Sequence, residues 1–168
     1  MRLADLNAAS REEFTAALGP VFEHSPWIAS EAWAARPFSS GEAVFRAMEA
    51  AIAAADQDAR LALIRAHPDL AGKAARAGRL TEHSRGEQQG VGLDRLSDEE
   101  YERFHRLNAA YRERFGFPFI VAVRNHTKDS ILAAFERRLG NDRATEIAEA
   151  LRNIGAIGRF RLLDLLQG

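Results

Sequence analysis

His67 is followed by Pro68. Proline disfavours the α conformation in the residue before it, which predicts His67 at a helix boundary with Pro68 opening the next helix. An imidazole held by stiff backbone, with both ring nitrogens free and a pKa near neutrality, suits general acid or base chemistry. The plainer reading is a helix-boundary residue. Further on, Ser84-x-x-Glu87-Gln88 has the form of a capping box. The same arrangement puts a hydroxyl, a carboxylate and an amide at a helix N-terminus, where the dipole favours a bound carboxylate. His83 and Glu87, four residues apart, could join His67 as a two-histidine, one-carboxylate metal site, but such spacing is common and no metal is expected.

Two further candidates lie towards the C-terminus. Arg161 falls on the apolar stripe formed by Ile147, Leu151, Ile154, Gly158, Leu162 and Leu165, while Arg152, Arg159 and Glu149 fall on the opposite face. A charge aimed at the core needs a partner. Arg161 is therefore either half of a structural ion pair or a planar donor fork for a substrate carboxylate or urea-type carbonyl. The run FPFIVAVR, Phe117 to Arg124, is apolar and strand-like but has no obvious partner strand. It is expected as extended, buried backbone whose polar groups are satisfied by neighbouring side chains or by a planar, amide-rich ligand.

The elements that must position these residues are helical. Ser10-x-x-Glu13, Ser39-x-x-Glu42 and Ser97-x-x-Glu100 read as capping boxes; Ser25-Pro26, Asp56, Thr127 and Asn141 read as further helix starts. Gly19-Pro20, Pro37, Pro68, Gly116 and Gly140 read as stops. Between Asp69 and Leu96 the pattern loosens, with five glycines, and loops with short helices are expected. From Ser97 onward, Tyr101, Phe104, Leu107, Tyr111 and Phe115 mark one helix face. The expected fold is all-α: a single-domain helical bundle over residues 1–168, with about seven to eight helices and no significant sheet.

Composition narrows the function classes. With 23 Lys+Arg against 24 Asp+Glu, the chain lacks the basic balance of a phosphate-backbone binder, so no nucleic acid is expected. No apolar run approaches the ~18 residues of a membrane span, and the opening MRLADLNAAS is too polar for a secretory core. A soluble, cytoplasmic protein without a membrane partner is expected. Zero cysteine removes thiolate catalysis, disulfides and Cys-ligated metal together. Only Lys73 and Lys128 could form a Schiff base.

Six segments, in order, carry a resemblance. FEHSPWIA (22–29), ARPF (35–38), HPDLA (67–71), Ser84-x-x-Glu87-Gln88, FGFPFIVAVR (115–124) and RFRLLDLL (159–166) look like those of the 2-oxo-4-hydroxy-4-carboxy-5-ureidoimidazoline (OHCU) decarboxylases. Each segment alone is common, but the ordered set spans nearly the whole chain, with no departure at a position that family uses for chemistry. The resemblance implies an all-α, homodimeric enzyme without cofactor or metal, acting last on the route from urate to (S)-allantoin. It implies His67 as catalytic acid/base and Glu87 as its acidic companion. Pro68, Ser84, Arg85, Gly86, Gln88, the main chain of Phe119, Ile120, Val121, Ala122 and Val123, and Arg161 would bind the substrate. Two other functions stay open at this point: a non-catalytic helical interaction module, which the joint presence of His67, Glu87 and Arg161 argues against, and a decarboxylase of another ureido acid.

Overall fold

The computed structural model describes residues 1–167, the side chains of Lys73 and Ala74 excepted. Among these residues there are helices and no strand, as the capping and periodicity signals predict. The chain divides into two compact units, one of residues 1–66 and 155–168, the other of residues 67–154.

The first unit holds α1 (Leu3–Ala8), α2 (Arg11–Leu18), α3 (Trp27–Ala32), α4 (Gly41–Ala54), α5 (Gln57–Arg65) and the C-terminal part of α10 (Arg143–Gln167). Its core gathers the inward faces of α2, α3 and α4, with Phe14, Leu18, Ile28, Val44 and Met48 all buried. In the last helix Gly158 makes room for an aromatic ring, because a Cβ there would stand 2.6 Å from Phe22 Cζ. The second unit holds α6 (Lys73–Arg76), α7 (Glu82–Gly90), α8 (Asp98–Phe115), α9 (Lys128–Leu139) and the N-terminal part of α10. Its core is aromatic: Tyr111 packs edge-on against Phe119 at 5.4 Å between centroids, and Phe119 stacks on Phe135 at 3.8 Å.

Several helix starts follow the sequence. Ser10 and Ser97 form full capping boxes, the Asp56 and Thr127 side chains accept from the third residue of their helices, and Gly116 ends α8 at φ +81, a left-handed conformation that favours glycine. Others shift. Ser40, not Ser39, caps α4 through Ala43 N–H. Ser25 turns its hydroxyl onto the Glu23 carbonyl and leaves α3 without a side-chain cap. Asp142, not Asn141, caps α10 through Thr145 N–H, while Asn141 reaches Glu146.

Two of the shifts touch the candidate chemistry. Thr81 caps α7 by accepting from Ser84 N–H, so Ser84 and Glu87 lie inside the helix and do not form its cap. Starting at Thr81 adds nearly a turn of intrahelical bonds, and it lets Ser84 and Gln88, four residues apart, face inward together. Pro68 opens no helix. Residues 67–72 form a loop after α5, in which Ala71 takes a left-handed φ of +52.

Candidate active site

The loop that carries His67 is gripped from two helices. On α7, Gln88 Oε1 accepts from Ala71 N–H at 2.9 Å and Gln88 Nε2 donates to the Asp69 carbonyl at 3.3 Å. From α8, Asn108 Nδ2 donates to the Leu70 carbonyl at 2.8 Å and Arg112 Nε bonds Asp69 Oδ1 at 2.9 Å. Three consecutive residues after His67-Pro68 are thus fixed by side chains, which substitute for the helix the dipeptide does not start. His67 itself is 6% exposed.

Along α7 the residues segregate by face. Ser84 and Gln88 are buried, Arg85 and Gly86 are exposed, and Glu87 is half-buried between them. Gly86 and Glu87 border a hollow of about 560 Å³ whose wall also includes His83, Arg124 and His126. Burial and the nearby Arg137 and Arg138 charges lower the His126 pKa, while its Nδ1 lies 2.9 Å from Ser130 Oγ. Pro68 borders a second hollow of about 370 Å³ with Asp69, His105, Asn108 and Arg112. Gln88 ties the helix of Glu87 to the loop of His67.

The segment after α8 is buried from Phe117 to Val123, but the expected extended run stops short of Arg124: Val123–Asn125 form a 3-10 turn that packs on α7 and leaves Arg124 exposed. Behind it stands a buried charged network absent from the sequence reading. Arg138 donates to Glu146 Oε1 at 2.8 Å and to the Ile120 carbonyl at 2.7 Å, with its guanidinium 4.4 Å over the Phe119 ring. Glu146 also accepts from the Tyr111 hydroxyl at 2.5 Å and from Asn141 at 3.0 Å. Burial, then the bond to Glu146, pushes the Tyr111 pKa up. The sequence did carry a signal: Arg138 falls on the Ile131, Phe135 stripe of α9, just as Arg161 falls on that of α10.

Arg161 belongs to the other unit. It is 2% exposed, and its Nη2 donates to Glu23 Oε1 at 3.0 Å with Nη1 3.3 Å from the Val21 carbonyl. It is buried as expected, and the partner it needs is a Glu23 that the sequence reading had not singled out. Arg159 is on the solvated face, paired with Glu42. His67, His83 and Glu87 form no metal cluster: among the described residues, no group of three His, Cys, Asp or Glu side chains is placed to hold an ion.

The family model described as OHCU decarboxylase matches residues 7–163. The chain belongs to the OHCU decarboxylase family. A 2-oxo-4-hydroxy-4-carboxy-5-ureidoimidazoline decarboxylase of Haloferax volcanii is 42% identical over 164 residues, covering 98% of this chain and 95% of that relative. Among solved structures, an (S)-allantoin synthase superposes with a TM-score of 0.77 at 32% identity, over 99% of this chain; this chain spans 54% of that one. An OHCU decarboxylase solved in the presence of (S)-allantoin has the same fold, with a TM-score of 0.70 at 19% identity over 95% of this chain and all of that one.

Proposed function

We propose that this member of the OHCU decarboxylase family converts OHCU to (S)-allantoin in urate degradation, as a carboxy-lyase needing no cofactor. The observation that carries the reading is a family match running from residue 7 to residue 163, across both units, with every segment that holds a candidate site residue inside it. On the same ground we read residues 1–168 as one functional domain.

The substrate supplies its own electron sink. Its carboxylate sits on the hydroxyl-bearing ring carbon beside a C=N bond. When the C–COO⁻ bond breaks, CO₂ leaves, its electron pair forms a C=C bond to the ureido-bearing carbon, and the C=N pair is taken up by the ring nitrogen, which gains a proton, giving an enol. Ketonisation releases the hydroxyl proton, and a proton added to one face of the ureido-bearing carbon fixes the hand of the product. The protein's tasks are orientation, stabilisation of the developing charge and delivery of that proton.

In this reading His67 is the acid/base and Glu87 its companion, as the resemblance implies. Pro68, Ser84, Arg85, Gly86 and Gln88, with the backbone of 119–123, bind the substrate's ring and ureido groups. Gln88 has the further task of holding the histidine's loop. For Arg161 we adopt the recognition of a carboxylate or ureido carbonyl that the resemblance implies. The reading extends to a cytoplasmic homodimer; among the described residues no helix is long and apolar enough to cross a membrane.

The test is CO₂ release from OHCU generated in situ by urate oxidase and hydroxyisourate hydrolase. Acceleration by protein dialysed against a chelator is expected. Activity lost on dialysis and restored by zinc would overturn the metal-free reading.

A further inference from the structure

The backbone from Pro118 to Ala122 is neither helix nor strand, yet it is buried, so its polar groups must be met by something other than a ladder. Two of them are met by side chains. The Ile120 carbonyl accepts from Arg138 Nη1 at 2.7 Å, and the Ala122 N–H donates to Asn153 Oδ1 at 3.1 Å. In extended backbone the N–H and C=O of residues two apart lie on one edge, and those of the residue between lie on the other. Ala122 has φ −74 and ψ 93, in the extended region, and in the trans peptides on either side of Val121 the Val121 N–H points away from the Ile120 carbonyl and its C=O away from the Ala122 N–H.

We propose that Arg138 and Asn153 are positioning residues that pin one edge of this segment and so present the opposite edge, the N–H and C=O of Val121, to the ureido group of the substrate. The proposal rests on the family reading of the 119–123 backbone as a substrate contact, and it names the edge that makes the contact. A ureido group carries an N–H and a C=O in one plane, the complement that a pairing strand would offer.

Both anchors are themselves fixed. Arg138 is buried, bonded to Glu146 and seated over Phe119, which stacks on Phe135. Asn153 donates its amide to the Glu149 carbonyl one turn earlier in α10. Neither is assigned a contact with the reacting atoms.

The experiment pairs two Asn153 variants, since this side chain is only half-buried and its replacement spares the aromatic core. Asn153→Leu loses the acceptor for Ala122 N–H; Asn153→Asp keeps it while exchanging the bond to Glu149 for a carboxylate charge. Steady-state kinetics with OHCU and calorimetric binding of (S)-allantoin, which carries a ureido group, are measured on both. Asn153→Leu is expected to raise KM, and to weaken allantoin binding, by about tenfold with kcat within about twofold, the scale of one hydrogen bond. Asn153→Asp is expected to stay within about twofold of the unaltered protein on every measure. A folded Asn153→Leu with unchanged KM and allantoin affinity overturns the proposal, as does an Asn153→Asp equally impaired. An unaltered protein that binds allantoin but leaves OHCU untouched contradicts the decarboxylase reading instead, and the binding arm still decides the edge.

Discussion

Arg161 and Arg159, two residues apart, separate burial from exposure on a single helix. Arg161 is paired with Glu23 where both are almost fully enclosed, so Arg161→Ala takes its guanidinium partner from a buried carboxylate and is expected to cost about 3–5 kcal/mol. Arg159 meets Glu42 at half-exposed positions, and Arg159→Ala is expected to cost about 0–1 kcal/mol. Arg161→Lys keeps the charge without the planar fork. If Arg161 also recognises substrate, this variant is expected to stay folded with a raised KM; an unchanged KM in the folded variant limits Arg161 to the ion pair. Thermal melts and steady-state kinetics on the three variants check this. The burial of Arg161 was legible because helical periodicity assigns faces, whereas its partner was not: Glu23 lies in a short irregular stretch with no period to read. The same limit hid the grip of Asn108 and Arg112 on the loop at 69–70, since contacts about 40 residues apart in sequence leave no local trace.

At the level of elements, α7 shows how a cap choice moves a site. Two starts compete in its sequence, Thr81-x-x-Ser84 and Ser84-x-x-Glu87, and the earlier one is used. With the helix begun at Thr81, Gln88 faces inward and takes hold of the loop after His67. Gln88→Leu would leave Ala71 N–H and the Asp69 carbonyl without that partner, at about 1–3 kcal/mol for each buried group. The expected result is a melting temperature lower by about 4 °C or more, together with a fall in kcat as His67 loses its fixed placement. A variant that melts like the unaltered protein and only raises KM would make Gln88 a substrate contact alone. Local chemistry identified the residues of α7 but read only the Ser84 cap; the start one turn earlier went unread, because which start is used depends on which face finds a core.

For the molecule as a whole, the all-α class followed from caps and periodicity, and the two-unit division did not, because α10 runs without a break in pattern through the boundary after Ile154. The charged network in the second unit gives the fold a pH signature. The Tyr111 pKa is raised in the folded state, first by burial and then by its bond to Glu146. The stability tied to its protonated form is therefore complete below the unfolded value near 10 and declines as pH rises above it. Tyr111→Phe removes a hydrogen bond to a carboxylate and is expected to destabilise by about 1.5–3 kcal/mol at neutral pH. The gap to the unaltered protein should narrow above pH 10, and a gap in denaturant unfolding that stays constant to higher pH would contradict this origin. The hand of the product is set by a proton delivered to one face of a carbon. Its most direct test is time-resolved circular dichroism of freshly generated OHCU with no protein, with the unaltered protein and with His67→Ala. Rapid growth of the (S)-allantoin signal is expected with the unaltered protein, and a rate at least ~100-fold lower with a folded His67→Ala. Racemic allantoin in the presence of the unaltered protein, or an undiminished (S) signal from His67→Ala, would contradict it.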